Sequence, residues 1–435
     1  MKKIGDKVAN ITEGNRTLLD SLKKTAERCQ EKGDTGLSTE IMEVQNENID
    51  SKTNNQQTFK PLTASEKMEM LESLDLSSSQ IKRIDDSGSE IKLYLDNDII
   101  YVIDRKDYNL VDVLDKSGSS IVRKIDMFSD EAANLDLYGG YQGSLANNDF
   151  RYIHNKTILS IIDKYYPNGN YTDDDLRLLF SKMNHHGCGY VAASNYMFEL
   201  TKNLSDEEFY DKFGFSRYEI TYASDGSYVK NYNYNCMFLD YFLYYQSELG
   251  FSSLSEIYGD IQIGAQDGSI SGNYDDSGAQ GSSHYIIARS IKSYLHEKKI
   301  DISYDNTFNY EKSFENLGQA VLNAISPLND YFNGSKVRDA LNVGKVVVID
   351  MEDFTLYYPY DADGNGKLDD VERTAVGGHS MVVTGVTDDG GYIVSSWGSK
   401  YIVRPKAYSV YNAIEGYANG DDDNDTLVGI TIYDI

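Results

Sequence analysis

Along the first third of the chain the apolar positions come in short, widely spaced groups. Residues 1–60 are largely polar, and Ile11, Leu18, Leu19 and Leu22 give a partial helical spacing over residues 8–30. Residues 44–58 are rich in Asn, Gln, Ser and Thr with almost nothing apolar, the composition of a linker. Thr63 or Ser65 then stands where a helix N-cap is needed, ahead of Met68, Met70 and Leu71. Beyond that helix the period falls to two. Ile91, Leu93 and Leu95 alternate, Asp96-Asn97-Asp98 make a turn, and apolar runs follow at 99–103, 111–114 and 121–125. Asp115-Lys116-Ser117-Gly118 supplies a further turn. The pattern predicts a small antiparallel meander, open to use as a propeptide, a binding module or a structural unit.

From residue 151 onward longer periodic segments take over. Helices are expected over 158–165, 173–183, 188–200 and 284–295, with a further one ending at 337–341 before Gly344. Strands are expected over 346–350, 380–386, 392–395 and 428–433. Helices come first and strands later, without βαβ alternation, so the expected class is α+β. The division this implies is a polar helical or flexible segment at 1–60, a small α+β module at 61–150, and a large domain at 151–435. No repeat of fixed period is visible.

The 435 residues hold 69 Asp and Glu against 41 Lys and Arg, a net charge of -28. Such a balance repels phosphate backbones and anionic lipid surfaces, so no nucleic acid and no membrane partner is expected. Cationic peptides and metal ions are attracted. Three cysteines, Cys29, Cys188 and Cys236, do not make a disulfide framework. Lys2 and Lys3 are not followed by an apolar run, so no secretory signal is visible, and no stretch has the length of a membrane span.

The chemistry concentrates in two distant segments. In Asn184-His185-His186-Gly187-Cys188-Gly189-Tyr190 the cysteine is flanked by glycines and opens a helical pattern. A thiol at a helix N-terminus meets unpaired N–H groups and the positive end of the dipole, both of which favour the thiolate. In Gly377-Gly378-His379-Ser380 a histidine opens an apolar strand that ends at Gly385. A second strand closes with Ser395-Ser396-Trp397-Gly398 and can present a side chain to the ring. Nucleophile, base and orienter drawn from separate parts of the chain are what covalent acyl transfer requires. Taken alone, Cys188 reads equally as an ordinary buried cysteine.

These three motifs, in this order, resemble those of the papain-like cysteine peptidases, and within them the bacterial bacteriocin-processing-like (C39-like) branch. The resemblance covers roughly residues 170–410. It implies a papain-like fold, a helical part plus an antiparallel sheet, that hydrolyses peptide bonds in a peptide or protein substrate. Cys188 would be the nucleophile and His379 its base. The family's third residue, usually Asn or Asp, falls on Ser395, a departure that removes charge stabilisation of the imidazole. Trp397 would shield that contact from water. The family's oxyanion-binding Gln, expected just before the cysteine, is missing there, and Asn184 is the nearest amide. His185 and His186 suggest loop packing or substrate contact, since no spaced partner completes a zinc set.

A second motif runs from Asp361 to Glu372 and fits the twelve-residue calcium loop. Asp361, Asp363, Asn365, the Lys367 carbonyl, Asp369 and Glu372 would supply oxygens to Ca2+, and Gly366 would make the sharp turn. The flanks do not read as a helix pair, so the loop resembles those of extracellular modules, whose weak affinity favours a location outside the cell over the cytoplasm. Glu372 precedes His379 by seven residues, which predicts that calcium orders the segment bearing the base. The acidic run 421–425 lacks the Gly and terminal Glu of such a loop. The rival readings are an amidase or peptidoglycan hydrolase on the same scaffold, and a catalytically silent calcium-binding interaction protein.

Overall fold

The computed structural model describes residues 59–127, 129, 131–132, 135, 137–167, 171–257, 284–309, 334–359, 370–404 and 426–434. The expected helix at 8–30 and linker at 44–58 lie outside them. The described residues from Leu62 onward pack as one compact unit of helices and mainly antiparallel sheet, an α+β arrangement. No helix among the described residues is long and apolar enough to cross a membrane.

Helix α1 (Ala64–Ser73) starts where the sequence expects it. Thr63 accepts from the Glu66 N–H, and the Glu66 carboxylate accepts from the Thr63 N–H, a reciprocal cap. Strands β1 (Ile81–Asp85), β2 (Glu90–Leu95), β3 (Ile100–Asp104) and β4 (Leu110–Leu114) form a four-stranded meander in chain order. Met70, Ile91, Leu93, Leu95 and Ile103 fill its core. The fifth expected run leaves this sheet. Strand β5 (Val122–Lys124) pairs in parallel with β7 (Tyr228–Tyr232), which also pairs with β6 (Tyr218–Tyr222). Val113, Ile220 and Tyr228 share an apolar cluster across the two sheets, so the meander is continuous with the rest in packing.

The helical part comprises α2 (Ser144–Asn147), α3 (Asp149–Tyr152), α4 (Lys156–Tyr165), α5 (Asp173–His186), α6 (Cys188–Leu200), α7 (Asp206–Phe213), α8 (Tyr234–Glu248) and α9 (His284–Glu297). Asn155, Thr172 and Ser205 cap α4, α5 and α7 with side-chain oxygens. Helix α6 is buried from Gly189 to Phe198, and its Gly189, Ala192 and Ala193 let the sheet approach closely. Helix α8 is apolar on nearly every side. Its one buried acid, Asp240, is met by Lys164 at 2.7 Å, Lys298 at 3.3 Å, the Tyr165 hydroxyl at 2.9 Å and the Tyr294 hydroxyl. A buried carboxylate is tolerable only with this many donors. The same burial pushes Lys298 down to about 8.

After α9 come β8 (Ser303–Asn309), α10 (Ser335–Asn342), β9 (Val346–Tyr357), β10 (Asp370–Val386), β11 (Tyr392–Ser396), β12 (Ser399–Val403) and β13 (Thr426–Asp434). The sheet order is β10-β11-β12-β9-β13-β8, and β9 also pairs directly with β10, so four strands close on themselves. Val347, Ile349, Met351, Met381, Val383 and Val394 fill the inside. Alternate residues Val346, Val348 and Val382 face the helices. Tyr196 of α6 donates to the Tyr433 hydroxyl of β13 at 2.9 Å, tying the buried helix to the sheet.

Candidate active site

Cys188 is the first residue of α6, delivered there by a crowded corner. A Cβ on Gly187 would lie 2.2 Å from the Met183 carbonyl oxygen and 2.4 Å from the Phe238 ring, so only glycine turns the chain between α5 and α6. Gly187 has no side-chain cap to offer, which leaves the first-turn N–H groups to the thiol. The N–H groups of Ser380 and Gly189 lie near the thiol and favour its charged form. Burial outweighs these donors and the nearby Asp350 carboxylate adds to it, so the thiol is pushed up from its ordinary value. Cys188 nevertheless keeps some exposed surface, whereas Cys236 in α8 is buried.

Ser380 directly follows the histidine in β10. A backbone N–H lies in the plane of its sheet, so the influence of Ser380 on the thiol sets the start of α6 towards an edge of β10. The pairing of β10 with β11 starts only at Val382 and Ser395, which leaves that edge open. His379 itself lies opposite Met351 and follows the side of the sheet that faces the barrel interior. Its ring stacks on Trp397, with centroids 4.6 Å apart, and on Phe354 at 5.8 Å. Its Nε2 lies 2.8 Å from Ser396 Oγ. Burial pushes the imidazole down to about 4, so the ring is neutral at neutral pH. No hydrogen bond joins the thiol to the ring.

The partner of the ring is therefore Ser396, and Ser395 corrects the expectation. Side chains alternate along β11, and Ser395 points to the helical side. There its Oγ donates to the Tyr138 carbonyl at 2.8 Å and accepts from Asn195 Nδ2 at 3.3 Å. A serine hydroxyl either donates or accepts, so Ser396 satisfies Nε2 in both tautomers of the ring.

Trp397 carries strain. It has φ 46° and Gly398 has φ 75° in the two-residue connection between Ser396 and Ser399, the positive pair that a type I′ hairpin demands. A bulky residue rarely adopts such a conformation. The stacking on His379 is what that conformation delivers.

No family model, no curated protein and no solved structure matches this chain.

Asn184 sits in the last turn of α5, on the helix before the cysteine, and not in a loop beside it. Its carbonyl accepts from Gln142 Nε2 at 2.6 Å. Gln142 is a second amide near the start of α6, which the sequence reading, confined to the residues just before Cys188, did not include. It comes instead from the glycine-rich run Gly139-Gly140-Tyr141-Gln142-Gly143, a visible signal in the sequence. This run is stapled to the site. Gly140 N–H donates to Asn195 Oδ1 at 2.6 Å, and Tyr138 N–H donates to the Gly398 carbonyl at 2.7 Å. With Nε2 facing a carbonyl, Gln142 Oε1 is left buried and without a hydrogen-bond partner among the described residues. His185 turns away: its Nδ1 lies 2.7 Å from the Ser181 carbonyl of its own helix.

Of the expected calcium ligands, Asp361, Asp363, Asn365, Lys367 and Asp369 lie outside the described residues. Glu372 falls within β10, with its side chain outside the description. Asp370 pairs with Tyr357, so the twelve residues 358–369 connect two paired strands. At about 3.3 Å per residue, seven residues of strand put Glu372 roughly 20 Å from His379. Among the described residues no group of three His, Cys, Asp or Glu is placed to hold a metal.

Proposed function

We propose that this chain is a thiol hydrolase of papain-like build that cleaves peptide bonds through Cys188 and His379. The observation that carries the reading is the start of α6 at Cys188 under the influence of the Ser380 backbone, with the neighbouring residue of β10, His379, held between Ser396 and a strained Trp397. At rest both groups are neutral. The thiol proton passes to the ring nitrogen opposite Nε2 as sulfur bonds to the substrate carbonyl carbon. The carbonyl electron pair moves onto oxygen, where the first-turn N–H of α6 and the Gln142 amide donate to it. The imidazolium then protonates the leaving amine as the C–N bond breaks. Water, deprotonated by the same ring, hydrolyses the thioester and restores the thiol. Contacts of this kind tighten when substrate binds, which a free enzyme need not display. An isosteric amide, as in an amidase or peptidoglycan substrate, would follow the same steps.

Calcium bound at residues 361–372 would act through the β9–β10 hairpin, at a distance from the base and not as a ligand to it. The reading of a silent interaction protein draws on the same raised thiol and lowered imidazole. Iodoacetamide kinetics separate the two. A Cys188 alkylation rate that collapses in His379→Ala, together with turnover of a fluorogenic peptide mixture, supports the hydrolase. An alkylation rate that does not depend on His379, with no turnover, overturns it.

A further inference from the structure

The three-stranded sheet carries a cluster of cations that runs against the charge of the whole chain. Lys124 of β5 and Lys230 of β7 stand directly opposite one another in register. Their ammonium groups lie 4.8 Å and 5.0 Å from the centroid of the same ring, Tyr218. Neither forms an ion pair with a carboxylate among the described residues. Like charges at directly opposed positions destabilise a sheet, and one aromatic face offsets only part of that cost.

A cavity of ≈ 420 Å³ opens beside them, lined also by Arg217 and by Lys202, whose ammonium pairs with Glu199. Its single acid, Asp206, is taken by Arg217 Nε at 3.0 Å. The Arg217 guanidinium also donates to the carbonyls of Thr201 at 3.2 Å and Leu204 at 2.7 Å, which fixes the segment between α6 and α7. Tyr218 stacks on Tyr232 at 5.3 Å, and Tyr232 on Phe198 of α6 at 4.7 Å, so the floor is rooted in the core. The site is thus built from rigid parts, with cations in excess and a volume in the range of small-molecule sites.

We propose that this cavity binds a soluble polyvalent oxyanion, a phosphate or sulfate ester, between Lys124 and Lys230. The bound anion relieves the repulsion of the opposed lysines, so binding and sheet stability are coupled. The site does not involve Cys188, and its test is independent of hydrolysis.

The experiment follows thermal unfolding of the full chain during titration with inorganic pyrophosphate at constant ionic strength. Wild type should gain stability in a saturable manner. Lys230→Gln should be at least as stable as wild type without the anion and should lose at least about tenfold in pyrophosphate affinity. Lys82→Gln, which removes a cation of the meander, should bind as wild type does. Sedimentation with vesicles containing phosphatidic acid distinguishes a lipid headgroup from a soluble ligand, and no co-sedimentation is expected. The proposal is overturned if wild type shows no saturable gain, if Lys230→Gln keeps its affinity or starts out less stable than wild type, or if only the vesicles bind.

Discussion

The meander of β1 to β4 and the barrel of β9 to β12 are both antiparallel, yet they treat polar side chains in opposite ways. In the meander most acids stay at exposed turns, where short local bonds hold them, and Asp107, buried in the β3–β4 turn and raised by that burial, is the exception. Ser87 lowers Asp85, Lys82 lowers Asp98, and Ser117 lowers Asp115. Its core cluster is built from Leu62, Met70, Ile91, Leu93, Leu95, Ile103 and Tyr108. At one end of the barrel, by contrast, Asp350, His379, Ser380, Ser395 and Ser396 are all buried, and a tryptophan sits at positive φ. Stability alone does not ask for such an arrangement, since each buried polar group must be satisfied to break even. The contrast supports the proposed hydrolase without reference to any motif.

The sharpest way to break the contrast is a pair of truncations. Cys188→Ala should cut peptide turnover by roughly 10⁶-fold while leaving urea stability nearly unchanged. Leu93→Ala should do the reverse, removing about 2–5 kcal/mol of stability with kcat kept. Loss of activity in both, or in neither, would erase the distinction between the two sheets.

Next in size is the pH dependence of the barrel end. In the unfolded chain His379 takes up its proton near 6.5, but in the folded chain only near about 4. Stability that rests on the neutral ring is whole above 6.5 and drains away as pH falls towards 4, by roughly 3 kcal/mol. His379→Gln should flatten that part of the urea-stability profile, and an unchanged slope would show that the ring is not buried neutral.

Trp397→Asn tests the strain. Asparagine tolerates positive φ, so hairpin stability should hold or rise, while loss of the ring that covers His379 should lower kcat/KM by about 10–100-fold. The smallest effects distinguish the two serines. Ser396→Ala should reduce kcat by about tenfold or less. Ser395→Ala should leave the Tyr138 carbonyl unpaired and cost about 1–2 kcal/mol of stability, with a smaller change in kcat.

Much of this was legible in the sequence where local chemistry decides structure. The cap at Thr63, the alternation through Leu95, and the helix opening at Cys188 all follow from neighbouring residues. Helix α8 was not legible, because Tyr234–Glu248 is apolar around its whole circumference and offers no 3.6-residue contrast. Strands β6 and β7 were hidden by tyrosines that alternate with charges, and β5 was assigned to the meander because its parallel partner lies more than a hundred residues away. At the site, the identity of the serine facing the ring turned on register, which flips with a single residue. Gln142 was out of view because the chain reaches Cys188 by a longer route than the one searched.

Helix α6 is enclosed by protein along nearly its whole length, yet its opening residue reaches solvent. That gives the molecule a ready pair of chemical reporters once Cys29 is replaced by serine. Cys188 can be tagged in the native fold, while Cys236 should become taggable only when the core opens. The ratio of the two labels across a denaturant series would then separate loosening of the helix tip from loss of the whole domain.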